Sequence, residues 1–218
     1  PTEILATHLL EVIKRNFSRL LTLKTLRRIL FEMVNISDPA RAEANRKLLD
    51  ELIPDKVPVD VLHAVLKLLL DEQVSIRNLP LILEAIAEAR GINAQPEEHV
   101  RQRLGFQLVG ELRRPDGSLP LVQLAPEWEE TFTAYQVDGD RGLDIALPPE
   151  LFNQLADRAA EKLNDASQNG IHAALVTNTR RRRFLRSVMR AKGISHPVLS
   201  FEEIGLDARP ALVGVVAA

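Results

Sequence analysis

Apolar residues recur at helical spacing through the first ninety positions. Ile4, Leu5, Leu9, Val12, Ile13, Phe17, Leu20 and Leu21 make one face of an amphipathic helix opened by Thr2. Thr22 is placed to cap a second helix over 23–34, with Leu26, Ile29, Leu30 and Met33 on one side. Asp38-Pro39 combines an N-cap with proline at the first helical position and predicts a third helix to about Leu52, ended by Pro54. DVLHAVLKLLLD, 60–71, is apolar around most of its circumference and reads as a central buried helix. Next comes a short extended stretch, 74–77, and then a helix capped by Asn78 and terminated by Gly91.

Beyond Gly91 the pattern changes. PEEHVRQRLGFQLVGELRRP reads as one helix between Pro96 and Pro115, PDGS as a turn, and LPLVQL, 119–124, as a strand. A polar loop containing QVDGDRGLD precedes a long helix over 149–169. Strand HAALVT (172–177), a basic helix, strand PVLSF (197–201) and strand ALVGVVA (211–217) follow. Strands alternating with helices predict a small α/β domain. The expected fold class is therefore mixed α and α/β, a small all-helical domain followed by a small α/β domain. The expected divisions are 1–20 as the closing helix of a preceding subdomain, 21–92 all-helical, and 93–218 α/β.

Composition narrows the function classes. The 218 residues carry 28 basic and 30 acidic side chains, a net charge of -2, and 45% are hydrophobic, which suits a packed globular chain. Nucleic-acid affinity comes mainly from cations that release counterions from phosphates, so this balance confines any basic surface to a local patch. No apolar run approaches the roughly 20 residues that span a bilayer. The start, PTEILATHLL, has no basic-then-apolar signal layout. A first residue of Pro fits either removal of Met or a piece of a longer protein. With no cysteine, disulfides, thiolate nucleophiles and cysteine zinc sites are excluded.

Catalytic and ligand motifs are sparse. The sequence has no G-x-x-x-x-G-K-[ST], no G-x-G-x-x-G and no G-x-S-x-G. His8, His63, His99, His172 and His196 lack the short spacing of zinc ligands, so no metal site is expected, and His63 reads as a hydrogen-bonded core or boundary histidine. Asp138, Asp140 and Asp144 depart from the EF-hand pattern at its glycine and fifth-position ligand, and read as a solvated loop. Neither a cofactor nor an enzymatic activity is expected.

The most conspicuous segment is TNTRRRRFLRSVMRAKG, 177–193. Arg180 to Arg183 span about one turn and cannot share a face, while Phe184, Leu185, Val188 and Met189 supply an apolar stripe. Three readings stay open, in this order: a solvated basic face, a protein interface in which arginine forks meet carboxylates, and a nucleic-acid surface. The last belongs to an alternative reading of the chain as a nucleic-acid-binding regulator.

Three stretches together resemble one family, the export-gate component of flagellar and virulence type III secretion systems. They are ILATHLLEVIKRN, VLHAVLKLLLDEQVSIRNLPLILEAIAEA, and LVTNTRRRRFLRSVMRAKGISHPVLSFEEI, in the family's order and spacing. Thr179 stands where many members have proline, and Arg182 matches the recurrent arginine. The resemblance implies the cytoplasmic C-terminal part of a bacterial inner-membrane protein, flagellar rather than virulence, with the membrane region lying upstream. It further implies a nonameric ring below the export pore. Expected partners are export substrates and their chaperones, the ATPase stalk and other export-gate membrane components, with no nucleic acid. By position, Thr7 matches a threonine of the chaperone-docking groove, with His8 and Glu11 beside it. Thr7 also reads as a plain small residue on a helix face. Arg77 and Asn78 become subunit-interface candidates, although Arg77 also reads as a structural tie of the turn to the next helix. Arg182 becomes a subunit or subdomain contact.

Overall fold

Two of the predicted caps form the hydrogen bonds that their positions dictate. In the computed structural model, which describes residues 16–140 and 142–218, the Thr22 side chain accepts from the Thr25 N–H at 3.2 Å and opens helix α1, Leu23–Val34. Asp38 accepts from the Ala40 and Arg41 N–H groups at 3.1 and 3.2 Å and opens α2, Pro39–Leu52. Each satisfies donors that the first helical turn leaves unpaired. Residues 16–20 are also helical. The rest of the predicted first helix, with Thr7, His8 and Glu11, lies outside the described residues.

The chain divides into two compact units between Leu104 and Gly105. In the first, α3 (Val59–Asp71) buries Leu62, Val65, Leu66 and Leu69, a single stripe at i, i+3, i+4 and i+7. Helix α4 (Leu79–Gly91) buries Leu79, Ile82, Leu83, Ala85, Ile86 and Ala89 and is the more enclosed of the two. Within 60–71, read from the sequence as the central buried helix, only Asp60 and Ala64 are exposed. Asn45 donates to the Met33 carbonyl at 2.7 Å, joining α2 to α1, and the half-buried His63 ring bonds the Leu21 carbonyl.

Two details of helix termination differ from expectation. Gly91 is still helical, and the left-handed position is taken by Asn93 (φ 56°), whose short polar side chain tolerates it. Helix α5 (Pro96–Arg103) stops at Leu104, so the helix expected to run on from Pro96 is two helices. Because α5 packs against α3 and α4, it belongs to the first unit, and the unit boundary falls later than residue 93.

The second unit opens with α6, Gly105–Leu112. Asp116 accepts from the Ser118 N–H and hydroxyl at 2.9 and 2.6 Å and holds the turn into β1, Ser118–Leu124. There follow α7 (Glu127–Ala134), β2 (Gln136–Gly139), β3 (Gly142–Ile145), α8 (Pro149–Gln168), β4 (Ala174–Thr177), α9 (Thr179–Ala191), β5 (Val198–Ser200), α10 (Phe201–Ile204) and β6 (Arg209–Val216). Strands β5-β4-β1-β6 form a wholly parallel sheet, with Leu121 opposite Ala174 and Leu175 opposite Val198. Helices α8 and α9 bury Leu155, Ala159, Leu163, Leu185, Val188 and Met189 in one cluster with the strand residues Val122, Leu175, Val198 and Val216. Strands β2 and β3 pair only with each other. The two-part fold class, all-helical and then α/β, is as the sequence indicates.

Candidate functional site

The arginine helix forms where β4 hands over to α9. Asn178 occupies the N-cap and accepts from the Arg181 N–H at 3.1 Å, so the helix starts cleanly with Thr179 at its first position. Arg181 and Arg182 flank the buried stripe of Leu185, Val188 and Met189 and are themselves buried. Arg180 is exposed and Arg183 half-buried.

Burying a cation is costly unless it is paired, and both buried arginines are paired. Arg181 donates from Nε and Nη2 to Glu129 Oε1 at 2.9 and 2.7 Å and from Nη1 to Gln136 Oε1 at 3.2 Å. Its guanidinium lies 5.9 Å from the Phe132 ring centroid. It thereby ties α9 to α7 and to the first residue of β2. Arg182 Nε lies 3.6 Å from Glu203 Oε1, and its Nη1 donates to the Val198 carbonyl at 3.4 Å. The other Glu203 oxygen accepts from the Ser200 N–H at 3.1 Å, and the Ser200 hydroxyl accepts from the Glu203 N–H at 3.3 Å. This reciprocal box starts α10 while Arg182 neutralises its carboxylate.

Arg182 is therefore an internal tie within the second unit and not on a subunit-facing surface, which corrects its expected interface role. The reading of the whole run as a solvated face also fails for half of its arginines.

In the first unit, α3 ends in a turn at 72–73, and 74–78, which includes the expected extended stretch, carries neither helix nor turn. Gln73 adopts φ 58°, and Val74 is buried. Glu72 accepts from Arg101 Nη1 at 2.7 Å, with the arginine side chain only 5% exposed, which pins the start of the turn to α5. Asn78 sits at the N-cap of α4 but makes no side-chain cap bond. Arg77 projects from this anchored turn. It is exposed, and its guanidinium makes no hydrogen bond or ion pair with another described residue.

On the same unit Glu88 meets both His99, at 3.0 Å, and Arg103. The His99 hydrogen bond, with Arg103 adding to it, holds the Glu88 carboxyl below its ordinary range despite partial desolvation. In the second unit His172 and His196 stack with ring centroids 5.0 Å apart, and His196 Nδ1 bonds the Ala173 carbonyl at 2.9 Å. Desolvation first, and the neighbouring imidazole second, push the His172 pKa down. Among the described residues no three His, Cys, Asp or Glu side chains converge on a metal position, and no helix is long and apolar enough to cross a membrane.

Sequence reasoning missed α7, the β2–β3 hairpin and the partners of Arg181 and Arg182. Trp128 and Phe132, four apart and both buried, were the available signal for α7.

The architecture, a helical unit followed by a four-stranded parallel α/β unit, is a fold that recurs in solved structures of SctV-type proteins. The nonameric EPEC SctV-C structure matches with TM-score 0.81 at 20% identity, covering 95% of this chain and 61% of that one. A chain of the Chlamydia pneumoniae CdsV and CdsO protein complex matches with TM-score 0.80 at 22% identity, over 99% of this chain and 62% of that one. The chain belongs to the FHIPEP family, whose model matches residues 1–209. The flagellar biosynthesis protein FlhA of Caulobacter vibrioides is 34% identical over 99% of the chain, which spans 30% of that relative's length.

Proposed function

We propose that this chain is the cytoplasmic C-terminal part of the inner-membrane export gate of a type III secretion system, flagellar rather than virulence. In this reading it contributes to a nonameric ring below the export pore and docks export substrates and chaperone–substrate complexes. Its role is binding and assembly. The observation that carries the reading is the family match along residues 1–209, which runs through both units without interruption. Similarity over 99% of the chain to a flagellar relative supports the flagellar assignment.

Within this reading, 1–20 closes a subdomain whose remainder lies upstream, and Thr7, His8 and Glu11 contribute to the chaperone-docking groove. Arg77 and Asn78, on a turn braced by the Glu72–Arg101 pair, face the adjacent subunit. A neighbouring carboxylate is the complementary partner for an exposed arginine fork. The ATPase stalk and the other membrane components of the gate are further partners, and the CdsV and CdsO complex supports the existence of such contacts in this fold.

The test is complementation. A full-length gate gene carrying Thr7→Glu should assemble but export chaperoned substrates poorly, with weakened capture of the chaperone–substrate complex by the purified cytoplasmic part. Normal export and capture by that variant would remove the docking assignment.

A further inference from the structure

Strand β6, eight residues long, is an outer strand of the parallel sheet and pairs with β1 alone. The opposite outer strand, β5, is three residues long and wholly buried. Of β6 only Val216 is buried, and 210–218 carries no charged side chain. Outer strands are ordinarily blunted by charges, shortness or cover, because their outward N–H and C=O groups are a template for another strand. Here Pro210 removes one donor at the start, and the outward main-chain groups from Ala211 to Val215 have no partner among the described residues.

The pairing with β1 slips by one within β6: Leu212 lies opposite Leu121 and Gly214 opposite Val122, so Val213 is an extra residue. The slip puts residues three apart on one face. Val213 and Val216 both pack on the core cluster that α8 helps to form, and Leu212 and Val215, 56% and 42% exposed, share the other face.

The α8 side of the strand is basic. A Cβ on Gly214 would meet the Lys162 stem at 3.5 Å, so Lys162 lies across β6, and Arg158, one turn earlier, donates to the Ala217 carbonyl at 3.0 Å. Alternation back from Val213 places Arg209 on this side as well. Although α8 also exposes Glu161 and Asp165, none of the three cations pairs with a carboxylate among the described residues.

We infer that the open edge of β6 takes up an extended protein segment in which acidic and apolar residues alternate. Its main chain extends the sheet, its apolar side chains continue the row of Leu212 and Val215, and its carboxylates meet Arg158, Lys162 and Arg209 on the other face. Alternation lets one strand serve both faces. A second copy of β6 is the wrong occupant, because it offers no acid and brings two sets of these cations together. The inference stands apart from the chaperone-groove assignment, whose residues belong to the other unit.

The probe is a fluorescein-labelled peptide of about ten residues alternating glutamate with valine, titrated into the 218-residue chain at about 150 mM salt, where exposed charges are partly screened. One counterpart carries lysine for glutamate, and another carries N-methyl groups on its central amides, which block a strand ladder. The acidic peptide should bind and both counterparts should bind far more weakly. Leu212→Thr with Val215→Thr, which keeps strand propensity, and separately Lys162→Glu with Arg209→Glu, should each weaken binding about tenfold while leaving the thermal melt unchanged.

Hydrogen exchange reads the contact without a variant: the amides from Ala211 to Ala217 should slow when the acidic peptide is added. Failure of the parent to bind, equal binding of either counterpart, parent-like binding by either variant, or unslowed exchange in β6 would overturn the inference. So would loss of binding in a longer cytoplasmic part that includes the upstream residues, since the edge would then be covered within the protein. Sedimentation showing a parent dimer that the threonine pair makes monomeric would also overturn it, since the occupant would then be a second copy of this chain.

Discussion

Arg182 and Glu203 meet inside the second unit, Nε to Oε1 at 3.6 Å, with side chains 2% and 0% exposed. Taking one partner from a buried pair leaves an uncompensated charge, which costs about 3–5 kcal/mol. Arg182→Ala should lower stability in urea by that amount. Arg182→Met combined with Glu203→Gln should recover much of the loss, because the new amide oxygen can still accept from the Ser200 N–H while no charge remains buried. Near-parent stability of Arg182→Ala would contradict the internal role.

Gly105 and Gly110 share α6 but not their surroundings. A Cβ on Gly105 would run into the Glu203 carbonyl oxygen, whereas one on Gly110 would meet nothing within 4 Å. Alanine in place of glycine favours a helix by about 1 kcal/mol. Gly110→Ala should therefore stabilise by about 0.5–1 kcal/mol. At Gly105 the clash is with backbone, and overpacking of this kind costs about 1–3 kcal/mol, so Gly105→Ala should destabilise despite the helical gain. Parallel urea titrations of the two variants check the opposite signs.

His172 gives the chain a pH dependence of defined sign. Desolvation and the stacked His196 hold its folded pKa below the ordinary 6.5, so the unfolded chain protonates first as pH falls. Stability should drop as pH falls through 6.5 toward the folded value, and the loss is complete below that value. Glu88 and Asp116, lowered from 4.5 and 3.8, act outside this window. Thermal midpoints measured from about pH 7.5 to about pH 5.5 should fall more steeply for the parent than for His172→Gln. Parallel curves would show that His172 carries no such linkage.

The legible parts of the fold are those set by local physics. Thr22 and Asp38 announced their helices because capping needs only neighbours. The apolar runs at 119–124 and 172–177 announced strands because a parallel sheet buries both faces. What stayed hidden depends on distant partners. Four consecutive arginines read as surface, yet Arg181 finds Glu129 at a sequence separation of 52, and Arg182 finds a glutamate on another element. The hairpin was hidden because its glycines and aspartates are also loop residues, and Val137 and Leu143 gain no burial that a periodic pattern would reveal. At 72–78 Arg77 is exposed, as an arginine usually is, but the Glu72–Arg101 brace beneath it crosses elements that the sequence alone does not pair.

The proposed function turns on Arg77 facing a neighbouring subunit in a closed ring. The most direct measurement places a photo-crosslinking benzoylphenylalanine at position 77 of the full-length membrane protein and irradiates whole cells. The expected result is a ladder of self-crosslinked species that is absent without irradiation. Only monomer, or crosslinks confined to unrelated proteins, would contradict it.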